Sequence, residues 1–413
     1  MTSWNIAVTG CGPAGLAAAL LLHREGHRVQ IYERFDRPRP LGAGLMIQPT
    51  GLAVLRAMGL DGAVLAAGAR IDRLFGQAAP SKRIVLDVRY AALGQSGGFG
   101  IGIHRAALFE VLYREVIAAG IPIATGHAVT GAPIAANGRR DILLADGRRE
   151  GRFDLVVDAL GSASPLAPGG GRALAYGALW ASLDWPPDAG FDATALEQRY
   201  IRASTMAGVL PIGHAPGFAA PQTAFFWSLR ADRLEAWRNA GLAAWKTDVL
   251  RVWPATAPLL DQITSAEQLT FAQYSHRTLK APAEPGLIHI GDAWHSTSPQ
   301  LGQGANMALL DAYALAMTLR EPREPSDAAR HAIARRIWHV RLYQAMSALF
   351  TPVYQSDSIL LPLLRDRIVG PFAKIWPANA ILAAMVSGLI GNPLKPLGLD
   401  RQDVTNHLKD RTS

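Results

Sequence analysis

The feature that most narrows the folds open to this chain is Gly10-Cys-Gly12-Pro13-Ala14-Gly15, lodged between an apolar run at 6–8 and a helical stretch at 14–23. Three glycines at that spacing have separate tasks: Gly10 permits a tight turn, Gly12 lets the backbone approach a pyrophosphate, and Gly15 allows a helix to lie close on a strand. Residues 29–32 supply a second strand that ends in Glu33. Together these form a βαβ unit, which requires parallel strands and a right-handed crossover. A phosphate then rests on the helix N-terminus, where free N–H groups and the dipole favour an anion. A carboxylate after the second strand accepts hydrogen bonds from ribose hydroxyls. Arg34, next in the chain, is compatible with either a 2′-phosphate or an FAD site.

The remaining chain must build a protein around that unit. Its 413 residues are 49% hydrophobic and 18% charged, which excludes disorder and leaves enough length for two or three domains' worth of core. Cys11 is the single cysteine, so an internal disulfide framework, a cysteine-based zinc site and a CxxC redox centre are excluded, and no metal site is expected. The net charge is +8, from 41 Lys+Arg against 33 Asp+Glu. The cations are dispersed rather than gathered in a run, so nucleic acid is not an expected partner. The chain opens Met1-Thr-Ser-Trp-Asn and enters the first strand without a basic and apolar leader, which predicts a cytoplasmic protein. Residues 375–394 carry no charge, but Pro377, Asn379, Gly388 and Pro393 interrupt them. The strongly apolar portion, 380–390, is too short to span a bilayer, so it reads as a buried or interface helix and no transmembrane segment is expected.

Strand and helix signals alternate through the first third. Helices are expected at 51–58 and at 105–119, the latter with Leu108, Leu112, Val116 and Ala119 on one face. A buried strand is expected at 154–159 and a Gly/Ala/Pro/Ser-rich loop at 160–172. From 173 to 273 β-prone and aromatic runs predict a separate, mostly antiparallel sheet. A parallel-type strand returns at 287–290, a helix follows at 304–319, and the last hundred residues read as helical. The first domain is therefore discontinuous.

A second motif follows the strand at 287–290: Gly291-Asp292-Ala-Trp294-His295-Ser-Thr-Ser-Pro299-Gln-Leu-Gly302-Gln-Gly304-Ala305-Asn306. Asp292 at a strand end is placed to bind a polyol hydroxyl. The N–H groups at Gly304, Ala305 and Asn306 open a helix, and their partial charge suits a delocalised anion such as a reduced flavin.

Glycines 10, 12 and 15 with Glu33-Arg34, the turn Gly42-Ala-Gly44-Leu, Arg105 in Ile-His-Arg-Ala-Ala-Leu, and the block from Gly291 to Asn306 occur in this order. They resemble the class A flavin-dependent aromatic hydroxylases of the para-hydroxybenzoate and salicylate hydroxylase type, over about residues 1–350. The resemblance implies an α/β fold, with a Rossmann-type FAD-binding domain, an inserted, mostly antiparallel β-sheet substrate domain and a helical C-terminal region. The expected division is 1–75, 99–172 and 274–350 for FAD, 76–98 and 173–273 for substrate, and 351–413 for the helical region. It also implies non-covalent FAD, with NADH or NADPH as reductant. Oxygen then passes from dioxygen, through a flavin hydroperoxide, to an aromatic small molecule. Cofactor contacts are implied at Gly10, Gly12, Pro13, Ala14, Gly15, Glu33, Arg34, Gly44, Arg105, Val129, Asp292, Pro299, Gly302, Gly304, Ala305 and Asn306.

Substrate-side candidates are Pro299, Gln48, Trp227 and Tyr200, while His104 and His295 read as hydrogen-bonded structural histidines rather than bases. A homodimer is compatible with the sequence. In that family a Gly-Ala-Asp-Gly-x-x-Ser loop touches both flavin and nicotinamide. Here the stretch is Asp158-Ala-Leu160-Gly161-Ser-Ala-Ser164, with Asp158 for the glycine and Leu160 for the acid. Trp294, where the family has a small residue, is expected to narrow the space beside the flavin. The altered loop keeps an alternative open, an FAD-dependent dehydrogenase without oxygen insertion.

Overall fold

The computed structural model describes residues 3–39, 42–96, 98–169, 171–369 and 375–399. Ile6, Ala7 and Val8 are all fully buried, as a strand covered on both faces requires. Their strand, Asn5–Thr9, pairs in parallel with Leu155–Asp158 on one side and Arg28–Tyr32 on the other. Leu287–His289 extends the sheet next to Leu155–Asp158, the antiparallel Ala283–Glu284 forms that edge, and Ile123–Ala124 forms the other. The principal helices are α1 (Pro13–Arg24), α2 (Arg105–Ala118), α3 (Leu234–Val252), α4 (Gly304–Leu319), α5 (Pro325–Tyr354), α6 (Leu360–Leu364) and α7 (Ala378–Val386). Buried residues of α1, α2 and α4 share one core cluster with this sheet. The Rossmann-type half of the expectation is therefore present. The helix expected at 51–58 is Pro49–Ala57.

A second sheet has seven strands, in the order Thr270–His276, Arg172–Asp184, Gln222–Arg230, Thr205–Gly213, Ala195–Ile201, Arg73–Ala78 and Ile84–Arg89. Its neighbours are antiparallel except Ala195–Ile201 with Arg73–Ala78, which run parallel. Side chains alternate between its faces. Leu179, Ala207, Val209, Phe225 and Trp227 pack against Trp245 and Val249 of α3. Met206, Leu210, Ile212, Ala224 and Phe226 pack the opposite way, with Met46, Ile71 and Tyr90. That second face meets a small sheet of Gly44–Ile47, Gly100–His104 and Ala69–Ile71. The contact is close: a Cβ on Gly102 would stand 2.0 Å from the Pro211 carbonyl oxygen, and one on Gly44 would stand 2.6 Å from Ile212 Cγ2.

The C-terminal helices close the molecule. Helix α4 lies on α1 and α5 lies on α4. The apolar segment read as a packed helix is α7, with Ala383, Met385 and Val386 buried, and the Tyr343 hydroxyl of α5 donates to the Met385 carbonyl at 2.9 Å. The remainder of the 351–413 region, at 370–374 and 400–413, lies outside the described residues. No helix among the described residues is long and apolar enough to cross a membrane.

Candidate active site

The glycine turn is shaped as its spacing demands. Gly10 has φ +103°, and a Cβ there would stand 2.7 Å from the Ala159 carbonyl oxygen; one on Gly15 would stand 1.9 Å from the Gly10 oxygen. Around Gly12, by contrast, no atom lies within 4 Å of an added Cβ, so this turn offers an open face. Gly12 caps α1 with no side chain, and Pro13 opens the helix. Leu16 N donates to the Gly12 carbonyl at 2.9 Å, so the N–H groups of Ala14 and Gly15 precede the first helical bond. Glu33 is buried; its Oε2 accepts from Cys11 N at 2.9 Å and its Oε1 from Phe35 N at 3.1 Å. Each oxygen keeps a further lone pair for a ligand. Arg34 is exposed and stacks over the Phe35 ring at 4.6 Å. Burial, and then the Glu33 charge, push the Cys11 thiol up, so it is not a reactive thiol.

The second motif folds onto the first. Gly291, at φ +57°, sits where a Cβ would be 3.1 Å from Ala308 Cβ of α4 and 3.3 Å from Ala14 Cβ of α1. Asp292 follows, and a Cβ on Gly304 would lie 3.8 Å from its Oδ1. Arg105 opens α2; its Cδ lies 3.0 Å from an added Cβ on Gly42, and its charge acts on Asp292. Asp292 is accessible to solvent, yet desolvation raises its carboxyl pKa, while His295 and Arg105 oppose the rise and Asp311 adds to it. An accessible carboxyl among so much protein marks a cleft. At its side Met307 N donates to the Gln303 carbonyl at 2.9 Å, which leaves the N–H groups of Gly304, Ala305 and Asn306 ahead of the first bond of α4.

Buried polar groups hold this loop. The Asn306 amide oxygen accepts from Gln48 N at 2.7 Å, and its Nδ2 donates to the Met46 and Gly302 carbonyls at 3.1 and 2.9 Å. The Asn306 side chain is thus a brace. Pro299 is exposed at the head of a short turn that Gly302 closes at φ +61°. His295 Nε2 meets Asp311 Oδ2 at 2.6 Å, Gly291 N donates to the same oxygen at 3.0 Å, and Arg336 Nε donates to Asp311 Oδ1 at 2.8 Å. Burial alone would raise the Asp311 pKa; His295 and Arg336 overcome it and hold the carboxyl below the usual range. Arg336 also meets His339 Nδ1 at 2.9 Å. Desolvation, with the Arg336 charge, drops the His339 pKa to about 2. Both motif histidines are structural: His104 Nδ1 accepts from Ala106 N at 3.1 Å, capping α2.

Several expectations need correction. Trp227 belongs to the sheet face that packs on α3, away from the cleft, because the register puts even-numbered residues of its strand on the near face. Tyr200 is buried, donates to Gln198 Oε1 at 2.9 Å and packs on Tyr354. It is core. Gln48 is also fully buried, with Oε1 accepting from the Tyr90 hydroxyl, although its Nε2 has no partner among the described residues and lies 3.5 Å from an added Cβ on Gly302. Trp294 does not narrow the cleft; it is fully buried in a cluster with Leu279, Met307, Val340 and Tyr343. Gly44 is accounted for by packing on Ile212, and the Val129 side chain is buried with Tyr32 and Phe153.

The altered loop has its own solution. Asp158 is fully buried; its Oδ2 accepts from Ser164 Oγ at 2.7 Å and meets His289 Nδ1 at 2.7 Å, and its Oδ1 accepts from Leu160 N at 3.1 Å. That carboxylate clamps the loop rather than facing a cofactor. Three residues that the sequence did not single out stand on the near side of the sheet. Trp180 and Phe226 have ring centroids 4.7 Å apart. Tyr274, its pKa raised by burial, is hydrogen-bonded to the Trp180 side chain and feels the Arg105 charge.

An open turn at Gly12, a lone-pair-bearing carboxylate at Glu33, an accessible Asp292 beside Arg105 and Gly304, and an orphaned donor on Gln48 form a set of donors and acceptors that fits an FAD molecule. A family model described as "FAD binding domain" matches residues 3–330. The chain belongs to this FAD-binding family. It is 27% identical over 357 residues to 3-amino-4-hydroxybenzoate 2-monooxygenase of Streptomyces cremeus, covering 81% of this chain and 83% of that one. It is 28% identical over 363 residues to aurachin C monooxygenase/isomerase of Stigmatella aurantiaca, covering 81% and 85%. In fold it matches Klebsiella pneumoniae HpxO, solved with FAD and uric acid, at a TM-score of 0.78 and 19% identity over 94% and 98% of the two chains. FAD is the cofactor of this flavoprotein, and NAD(P)H is the reductant its family uses.

Proposed function

We propose that this chain is an FAD-dependent monooxygenase that takes electrons from NAD(P)H and oxygen from dioxygen to hydroxylate an electron-rich aromatic small molecule. The observation that carries the reading is the meeting of the Arg105–Asp292–Gly304 cradle with the aromatic side of the seven-stranded sheet, at Trp180, Phe226 and Tyr274. The α1 N-terminus and Glu33 would hold the ADP half of FAD, and Arg105 and Asp292 the phosphate and ribityl portion. The N–H groups of Gly304, Ala305 and Asn306 would supply partial positive charge to an anionic reduced ring. When bound, FAD supplies the redox chemistry, accepting a hydride and activating dioxygen.

The protein's own work is positioning and exclusion of water. Trp180 and Phe226 offer flat apolar surface for stacking a planar substrate, and Tyr274 offers a hydroxyl that points ring substituents. A ring activated by hydroxyl or amino groups fits both this lining and the names of the curated relatives. The proposed division of the chain is 1–75, 99–172 and 274–350 for cofactor and 76–98 with 173–273 for substrate, in a cytoplasmic protein. The test is turnover of NADH or NADPH with aminophenols and hydroxyquinolones under isotopically labelled dioxygen. Label in the product is the expected result; oxidation of substrate with no oxygen gained would replace this reading with a dehydrogenase.

A further inference from the structure

Of the twelve large apolar side chains exposed among the described residues, nine lie between Trp338 and Ile381. The other three are scattered singly, which is normal for a surface. Trp338 and Trp376 are 77% and 78% exposed, unusual for the largest apolar side chain. On α5 the outward stripe runs from Arg330 through Trp338 and Arg341 to Ala345 and Leu349, at intervals of three, four and eight residues. It is basic at its start and apolar toward its end. Leu360, Leu363 and Leu364 expose one face of α6, and Ile381 is on the outer side of α7. These elements are tied together: Tyr343 of α5 bonds Met385 of α7, and Arg365, just after α6, donates to the Val353 carbonyl of α5 at 3.2 Å.

We infer that this C-terminal helical face docks on the surface of an anionic lipid bilayer. Charge complementarity chooses that occupant. Arg335 and Arg330, one and two turns before Trp338, are paired with Glu321 and Asp327, whereas between 338 and 399 the exposed described cations are Arg341, Arg367 and Lys395. The only acids there, Asp357 and Asp366, are engaged by Arg230 and by Arg365. An apolar surface with tryptophans, fringed by cations, matches the headgroup boundary, where indole rings settle and anionic lipids attract Lys and Arg. A second copy suits the surface less well, since a two-fold contact would set the same cations against each other, on chains that each carry +8. The chain's own end, 400–413, reads DRQDVTNHLKDRTS, with too few apolar residues to cover such a face.

Flotation of the FAD-loaded full-length protein tests the inference, with vesicles of phosphatidylcholine alone and of phosphatidylcholine containing phosphatidylglycerol. The protein is expected to rise with the anionic vesicles at low salt and to stay behind with the neutral ones. Trp338→Ser with Trp376→Ser should cut the bound fraction about tenfold or more, from lost indole burial. Arg341→Glu with Arg367→Glu should do likewise on anionic vesicles, through lost attraction to the headgroups. Retained FAD absorbance shows that each variant is folded, and if the tryptophan pair fails to fold, the exposed arginine pair decides. Failure to float with anionic vesicles would overturn the inference. So would light scattering that shows a dimer turned to monomer by the tryptophan pair while vesicle recovery stays unchanged, which would assign the face to a second copy.

Discussion

Asp292 shows at the scale of one residue why a carboxylate is kept where it is costly. Crowding by the surrounding protein raises its pKa above the ordinary carboxylate value, against the opposing charges of His295 and Arg105, and hydroxyl groups donating to it would favour its ionised form. Asp292→Ala is expected to weaken FAD binding by roughly one to two decades, the value of a charged acceptor at about 1.5–3 kcal/mol, read by flavin fluorescence titration. Asp158 is the opposite case, since its bonds to Ser164, His289 and Leu160 are internal. Leaving a buried hydrogen-bond partner unsatisfied costs about 1–3 kcal/mol, so Asp158→Ala should lower the unfolding midpoint while the folded fraction binds FAD almost normally. Neither Asp158 in the family's glycine position nor Leu160 in its acid position was interpretable from sequence alone. For Asp158 the explanation lies in His289, 131 residues away, and such a pairing leaves no local trace. With Asp158 engaged by Ser164, His289 and Leu160, the altered loop presents no free acid at either of its two exchanged positions. Leu160→Asp is expected to speed anaerobic flavin reduction in stopped-flow, and an unchanged rate would remove this loop from hydride transfer.

Among the elements, the strand–turn–helix at the N-terminus was legible because each glycine answers a local steric demand. The structure separates those demands in a way the spacing does not. Gly12→Ala meets no atom and keeps an extended φ of −72°, so thermal stability of the FAD-free protein should stay within about 0.5 kcal/mol while flavin is lost to the methyl group in the phosphate path. Gly15→Ala drives a methyl into the Gly10 carbonyl and should destabilise the fold itself; equal effects of the two variants on stability would contradict this assignment. The α4–α5 contact carries a pH signature. His339 is neutral in the folded state down to about pH 2, whereas in the unfolded chain it gains a proton near pH 6.5. The unfolded state therefore binds more protons below about pH 6.5, and stability must fall as pH is lowered through that range. Between pH 7 and pH 5 the loss from this group is about 2 kcal/mol. His339→Gln should flatten that limb in denaturant titrations at the two pH values, and a parallel wild-type curve would show that His339 is not the source.

The whole molecule was legible in outline because its parallel strands are continuous apolar runs bounded by glycine motifs, and because two motifs opening at Gly10 and Gly291 both suit one cofactor. The sheet faces were not legible. In Thr205–Gly213 and Gln222–Arg230 nearly every residue is buried, so no polar–apolar alternation reveals which side meets the cleft, and Trp227 and its neighbour Phe226 are equally plausible by composition. Only the stacking of the small sheet on Ile212 and Ala224 breaks the tie. The same architecture makes the cofactor a structural bond between distant segments. Glycines 10–15, Glu33, Arg105 and the 291–306 loop come from four stretches of chain, and a ligand that touches all four binds the folded state and not the unfolded one. Stabilisation then follows from mass action, at about 2.7 kcal/mol when free FAD is a hundredfold above its dissociation constant. The purified protein is expected to be yellow, with one FAD per chain. Acid precipitation should release all of the flavin, since no residue is placed as a covalent anchor. Stripped protein should melt several degrees lower and recover its midpoint on titration with FAD but not with FMN, which lacks the adenosine that we propose Glu33 and the open turn at Gly12 hold. Equal recovery with FMN would mean that the first motif contributes nothing to cofactor binding.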